Sequence, residues 1–68
     1  MRLKELRKAK GLTQSELAKV IGYSSLSYAR YEKGEREPDI RTLCELADYF
    51  NVSVDYLLGR TENPNINR

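Results

Sequence analysis

Apolar residues of this chain recur every three or four positions within five short stretches, and polar residues or glycines separate the stretches. Such spacing places the apolar side chains along one face of a helix, so each stretch predicts a short amphipathic α-helix. No stretch alternates apolar and polar residues as a half-buried strand does. The pattern therefore predicts an all-α fold of five helices, at residues 1–10, 14–21, 25–33, 40–50 and 54–58.

Cap residues mark the predicted ends of these helices. Thr13 and Glu16 have the capping-box spacing, in which each side chain bonds the backbone N–H of the other residue. Ser24, Asp39 and Ser53 each precede a helical stretch and are favourable N-caps. Each of the four glycines stands at a predicted helix end, where a left-handed residue can terminate a helix.

The apolar stripes also predict which side chains form the core. The stripe of the second helix includes Val20, and that of the fourth helix begins at Ile40 and includes Cys44. In the third helix Tyr28 and Tyr31 are three residues apart and define an inward face. We expect their rings in the core or at its rim, with the hydroxyls reaching water or a phosphate.

The length of 68 residues limits the chain to one domain. A chain of this size buries only about 60% of its unfolded surface, and its single cysteine excludes an internal disulfide. Helix packing or a partner chain must therefore stabilise it. We predict a domain at residues 1–59. Residues 60–68 contain three asparagines, a proline and one isolated isoleucine, which predicts a flexible C-terminal tail or the start of a linker.

Charge is unevenly distributed. The net charge is +2, yet residues 1–36 hold nine Lys and Arg against four Asp and Glu, and residues 37–68 hold three against six. This asymmetry suits a face that meets a polyanion, and it also suits ordinary solvated surface. The chain has no apolar run of about 18 residues and no signal-peptide pattern at its start. A lone thiol fits a reducing compartment, so we expect a cytoplasmic protein without a membrane span.

Enzyme chemistry lacks its usual residues in this sequence. The chain contains no histidine, so a serine or cysteine nucleophile would lack its common base. One cysteine cannot form a zinc cluster, and no glycine-rich phosphate loop is present. Most carboxylates lie within four residues of a Lys or Arg, which favours ion pairing. The sequence therefore predicts no enzyme, no metal and no cofactor, and no small-molecule ligand is evident.

Three segments carry a resemblance to a known family. They read GLTQSELAKVIG at residues 11–22, YSSLSYARYEKG at 23–34 and LCELADYFNVSVDYLL at 43–58. In their caps, core positions and turn glycines they resemble the Cro/C1-type (XRE) helix-turn-helix family of phage repressors and bacterial regulators. The resemblance implies a five-helix, lambda-repressor-like bundle. The short link between helices two and three agrees with a helix-turn-helix, and an ordinary helix hairpin is the alternative.

The resemblance implies two kinds of contact with DNA. Gln14 holds a phosphate and braces the third helix; its alternative is an ordinary solvated residue of the first turn. Thr13 can add its hydroxyl besides capping the helix. From their charge at the end of the third helix and in the loop after it, we expect Lys33 and Arg36 to meet phosphates, which position a protein without specifying a sequence, while the acidic residues of that loop predict modest affinity. The positions that touch base edges are Ser25, Leu26, Ser27 and Arg30.

Two of these positions have alternatives. Arg30 lies one turn past Leu26, and a bidentate contact with guanine contributes about 1–3 kcal/mol of discrimination; a phosphate contact or an intramolecular pair is the alternative. Leu26 suits a thymine methyl group, and its alternative is a core position. The resemblance also implies that Arg7 and Glu32 form a structural salt bridge between helices one and three.

We therefore predict a sequence-specific regulator of transcription that binds double-stranded DNA in the major groove, as a repressor and as a homodimer on a palindromic operator. The resemblance places the dimer surface at residues 51–58, and the half-sites would lie about 34 Å apart. The alternative is a protein-interaction module, such as an antitoxin or adaptor, that uses the same bundle. The salt dependence of DNA binding separates the two.

Overall fold

Five α-helices follow one another in the computed structural model, which describes residues 1–66. The helices are α1 (Leu3–Ala9), α2 (Gln14–Val20), α3 (Ser25–Lys33), α4 (Ile40–Phe50) and α5 (Val54–Leu58). No strand occurs within residues 1–66, and the predicted all-α bundle of five helices is confirmed. The helix ends agree with the predicted ones to within two residues. Within this part of the chain, no helix is both long and apolar enough to cross a membrane.

Side-chain caps begin four of the five helices. Thr13 Oγ1 accepts from the Glu16 backbone N–H at 3.1 Å, and Glu16 Oε1 accepts from the Thr13 N–H at 2.9 Å. Ser24, Asp39 and Ser53 each accept from the backbone N–H three residues further on. One such cap contributes about 1 kcal/mol, which matters because helices of this length are marginal when isolated.

Each helix contributes at least one large, fully buried apolar or aromatic side chain to the centre of the core. All five are at most 1% exposed: Leu3, Leu17, Tyr28, Leu46 and Leu57. Full burial of such a side chain contributes about 1.5–3 kcal/mol. Because the five share one cluster, each helix depends on the others for its burial.

Three residues predicted in the core lie on the surface. Val20 is 52% exposed and Ile40 is 81% exposed, and Cys44 is exposed as well. A helix turns by about 100° per residue, so Ile40 and Cys44 lie about 200° around α4 from the buried Thr42. Val20 lies equally far around α2 from the buried Ala18. The prediction was wrong because it merged all apolar residues of a helix into one stripe.

A polar residue occupies the core position that the prediction missed. Thr42 is 1% exposed, and its hydroxyl shares a hydrogen bond with the Tyr23 hydroxyl at 2.5 Å. The Tyr23 ring in turn lies 6.0 Å from the Tyr31 ring, measured between centroids. Tyr23, in the turn between α2 and α3, therefore connects α3 to α4.

Residues 60–66 contact the helices at several points. The Thr61 carbonyl accepts from Arg2 Nη2 at 3.1 Å, and the Pro64 carbonyl accepts from the Ser53 N–H at 3.0 Å. The flexibility predicted for residues 60–68 and the domain limit at residue 59 remain predictions. Residues 67–68 of that predicted tail lie outside the described residues.

Candidate nucleic-acid interface

Residues 21–24 join α2 to α3 in a tight turn. Gly22 has a φ of +78°, a left-handed conformation that costs other residues about 1–2 kcal/mol. The Tyr23 N–H donates to the Ala18 carbonyl at 2.8 Å and closes the end of α2. Ser24 then caps α3. Two helices joined by so short a turn have the connection of a helix-turn-helix.

The two sides of α3 have opposite environments. Tyr28 and Tyr31 are 0% and 7% exposed and fix the inner side in the core. On the outer side Ser25 and Arg30 are exposed and Leu26 is 65% exposed. Arg30 forms no ion pair with any residue in the range 1–66, so its intramolecular alternative has no partner there. Leu26 lies on the surface, so its alternative as a core residue does not hold.

Ser27 is placed differently from its neighbours. It is half-buried, and its Oγ accepts from the Ser24 hydroxyl at 3.0 Å. It lines an open groove of about 370 Å³ together with Tyr23, Tyr31 and Arg36. The structure therefore brings Arg36 to the same groove as Ser27, together with the acidic Glu37 and Asp39.

The other predicted phosphate ligands lie around this surface. Thr13 and Lys33 are exposed, and Gln14 is half-buried. Lys33 stands in the last turn of α3 and lines a second groove with Lys4 and Arg36. Lys33 therefore lies at the end of α3 and Arg36 in the loop that follows it. Thr13 caps α2, and Gln14 is the first residue of that helix.

A hydrogen-bonded network joins α1, α2 and α3. Arg7 Nε donates to Glu32 Oε2 at 2.6 Å and Arg7 Nη2 donates to Glu32 Oε1 at 3.2 Å. Arg7 Nη1 also donates to the Leu12 carbonyl at 2.8 Å. Gln14 Nε2 donates to Glu32 Oε1 at 3.1 Å. The Arg7 and Glu32 side chains are 10% and 4% exposed, so this bidentate pair orients α3 from a protected position.

The network sets the charge states of its members. Burial alone raises the pKa of the Glu32 carboxyl, but the neighbouring polar groups of Arg7, Tyr28 and Gln14 outweigh burial and leave that pKa below its usual value. The hydrogen bond to Glu32 raises the pKa of the Arg7 guanidinium. Both groups are therefore charged at neutral pH.

The Tyr28 hydroxyl is enclosed beside this pair. It has no hydrogen-bond partner among the described residues, and burial raises its pKa, so it stays neutral. The expectation that it reaches water or a phosphate was wrong. The reason is that Tyr28 lies wholly in the core, where α3 packs against α2 and α1, and its ring has no exposed edge.

Sequence reasoning missed two residues that position this surface. Tyr23 was assigned to a short link, and Thr42 was not assigned to the core, yet their shared hydrogen bond holds α4 against the start of α3. A usable signal was present in the spacing of Thr42, Leu46 and Phe50, which recur every four residues along α4.

Comparison with known proteins identifies the family. A sequence model of the helix-turn-helix family matches residues 3–57, which include α1 to α4 and nearly all of α5. The chain belongs to the helix-turn-helix family. The family match therefore covers the turn at residues 21–24, the outer side of α3 and the network below it.

Relatives of this helix-turn-helix chain are transcriptional regulators. It is 46% identical to the uncharacterized HTH-type transcriptional regulator YobD of Bacillus subtilis, over 93% of the chain and 56% of YobD. It is 44% identical to the HTH-type transcriptional regulator ImmR of the same organism, over 90% of the chain and 48% of ImmR. It is also 44% identical to the cryptic phage CTXphi transcriptional repressor RstR of Vibrio cholerae, over 87% of the chain and 51% of RstR.

The helix-turn-helix chain spans about half the length of these relatives. The family and these relatives are regulators of transcription and not enzymes. No solved structure gives a significant match.

Proposed function

We propose that this chain regulates transcription by binding double-stranded DNA, with the outer side of α3 in the major groove. The observation that carries the proposal is the division of α3. Leu26 and Arg30 project one turn apart from a helix whose opposite side is locked by Tyr28, Tyr31 and the Arg7–Glu32 pair. A rigid helix with an unpartnered outer side, preceded by a tight turn and a second helix, is the arrangement that enters a major groove.

The outer side of α3 supplies the proposed base contacts. Arg30 can present two parallel N–H groups to guanine, and the exposed Leu26 can pack against a thymine methyl group. Ser25 is exposed and can donate or accept a hydrogen bond, which discriminates weakly. Ser27 already accepts from Ser24, so we assign it the smallest share of base reading.

The proposed phosphate contacts surround that helix. Gln14 uses one amide N–H on Glu32, and its second N–H is available for a phosphate oxygen. Thr13 adds a hydroxyl, and Lys33 and Arg36 add positive charge. Phosphate contacts position a protein on the duplex, and base contacts specify the sequence. These four residues are therefore proposed to set the orientation of α3 on the DNA and not its sequence preference.

We further propose a homodimer that represses transcription from a palindromic operator. Half-sites lie about 34 Å apart on DNA, and the longest dimension of the chain is 31 Å, so two copies side by side fit that spacing. Residues 51–58 are the proposed dimer surface, where Asn51 and Asp55 are exposed and Val54 and Leu58 are half-buried. The name of the repressor RstR supports the direction of regulation.

Selection of bound sequences from a random duplex library tests the proposal. We expect one consensus with two inverted half-sites. Affinity for that consensus should fall steeply with salt, since each neutralised phosphate contributes about 0.9 to the logarithmic slope. Absence of binding at about 50 mM salt contradicts DNA binding and favours a protein-interaction module. A consensus without inverted symmetry contradicts the homodimer alone.

A further inference from the structure

The residues that follow α5 turn back onto the bundle and lie over its α4–α5 side. The backbone N–H of Ser53, the N-cap of α5, donates to the Pro64 carbonyl at 3.0 Å. Ile66 is 37% exposed and lines a groove of about 420 Å³ with Val54 and other residues of α4 and α5. Residues 61–66 are called the strap below.

Arg2 fastens the first residues of the strap to α5. Its Nε donates to the Tyr56 carbonyl at 2.9 Å, and its Nη2 donates to the Thr61 carbonyl at 3.1 Å. Nη2 also lies 3.3 Å from Glu62 Oε1. The guanidinium stands 4.3 Å from the centre of the Tyr56 ring, a favourable cation–π distance. One side chain therefore joins α5 and the strap through four contacts.

The strap and the proposed dimer surface use the same residues. Ser53 donates its N–H to the strap, Tyr56 accepts from Arg2, and Val54 lines the same groove as Ile66; all three lie within residues 51–58. The strap bonds Ser53 and forms one wall of this groove, so another molecule cannot pack flat against the same residues while the strap is in place. The strap is therefore a competitor for any partner of this face.

We propose that the strap lies on the α4–α5 face in the monomer and must leave it before this face pairs with a second copy of the chain. This inference rests on the homodimer of the proposed function. Because both copies must open, the apparent dissociation constant of the dimer is raised by the square of the inverse open fraction. A strap that is open about one third of the time weakens dimerisation about tenfold.

Two substitutions that release the strap test this competition. Ile66→Ser removes the apolar side chain from the groove, and Arg2→Gln removes the guanidinium contacts. We expect each to tighten the dimer, measured by sedimentation equilibrium, by about threefold to tenfold. The matched control is Ile40→Ser, the same change at an isoleucine that is 81% exposed and does not line the groove, and it should leave the dissociation constant unchanged.

Amide hydrogen exchange at Ser53 reports the strap independently of dimerisation. We expect this N–H to be partly protected in the wild-type monomer and to exchange about twofold to threefold faster in Ile66→Ser, while the amides of α4 stay protected and show that the fold is intact. Free exchange at Ser53 in the wild type would mean that the strap is not docked.

The remaining outcomes separate the failure of the strap from the failure of the dimer. A dimer whose dissociation constant is the same in the wild type and in Ile66→Ser overturns the competition and leaves the homodimer standing. Weaker dimerisation of Ile66→Ser shows that Ile66 belongs to the interface, which also overturns the competition. Monomers at every concentration, in the wild type and in both variants, overturn the homodimer and the competition together.

Discussion

Replacing Glu32 with glutamine should reveal how strongly the network below α3 stabilises the domain. The Glu32 carboxylate accepts two hydrogen bonds from Arg7 and one from Gln14, and its side chain is only 4% exposed. Glu32→Gln keeps the size and shape of the side chain but removes its charge. Arg7, at 10% side-chain exposure, is then left as a protected cation that retains the Leu12 carbonyl as a partner.

The expected loss is a large part of the total stability. Breaking a buried ion pair from one side costs about 3–5 kcal/mol, and we expect the lower end because glutamine can still accept one hydrogen bond from Arg7. A domain of this length has a free energy of unfolding of roughly 3–10 kcal/mol. A loss of about 3 kcal/mol corresponds to a fall of about 12–24 °C in Tm.

Urea denaturation followed by circular dichroism measures this loss. The midpoint should fall by about 2–3 M at an unchanged slope near 1 kcal/mol per molar. The matched control is Glu35→Gln, which makes the same chemical change at an exposed glutamate without an ion pair among residues 1–66. We expect the control to change stability by less than about 0.5 kcal/mol.

A second variant separates loss of charge from loss of packing. In Arg7→Met with Glu32→Leu, neither charge is left unpaired, and such apolar replacements of buried pairs are often neutral or stabilising. This double variant should recover at least half of the stability that Glu32→Gln loses. If the free energy of unfolding of Glu32→Gln lies within about 1 kcal/mol of the wild-type value, the pair behaves as a solvated surface pair and our reasoning about the network is refuted.

Four further predictions follow from the same structure. Because the folded-state pKa of Glu32 lies below its usual value of 4.5, the stability that this group contributes is present above pH 4.5 and is lost as the pH falls through the folded-state pKa. Denaturation across pH 3–7 should show this loss of stability in the wild type and a much smaller loss in Glu32→Gln. Tyr28→Phe removes a hydroxyl that is buried without a partner and should raise the free energy of unfolding by about 1 kcal/mol; a loss of that size would show that the hydroxyl is bonded. Arg30→Ala should relax the selected consensus at one position in each half-site and cost about 1–3 kcal/mol of affinity, whereas uniform weakening would assign Arg30 to a phosphate. Lys33→Ala should leave the consensus unchanged and reduce the salt slope by about 0.9 per protomer, and an altered consensus would contradict its assignment.

The helices could be predicted from local sequence because their caps are local. Thr13 with Glu16, and Ser24, Asp39 and Ser53, bond backbone groups three residues away. Such bonds need no tertiary partner, so periodicity and cap residues were enough to give five helices and their ends.

Core membership could be predicted only in part. Leu17, Leu46 and Leu57 follow from the apolar stripes, but the same reasoning placed Ile40 and Cys44 inside. Which edge of a wide stripe is covered depends on the neighbouring helix, and this information is not local. Thr42 could enter the core because Tyr23, nineteen residues earlier, supplies its hydrogen bond.

The geometry of the candidate site could be predicted from the sequence least well. The resemblance named Arg7 with Glu32 and implied that Gln14 braces the third helix, but it did not show that the Gln14 amide bonds this same carboxylate, which depends on three helices meeting at one point. The different positions of Ser25 and Ser27 also follow from packing, because the groove beside Tyr23 and Tyr31 takes one serine and leaves the other exposed.

The division of α3 has a consequence for how such a domain can diversify. Ser25, Leu26 and Arg30 contribute nothing to the buried cluster, and Arg30 has no ion-pair partner within the described residues. Exchanging them leaves the core, the cap at Ser24 and the network around Glu32 untouched. Under the proposed function, a library at these three positions can therefore change operator preference without altering the side chains that hold the fold together.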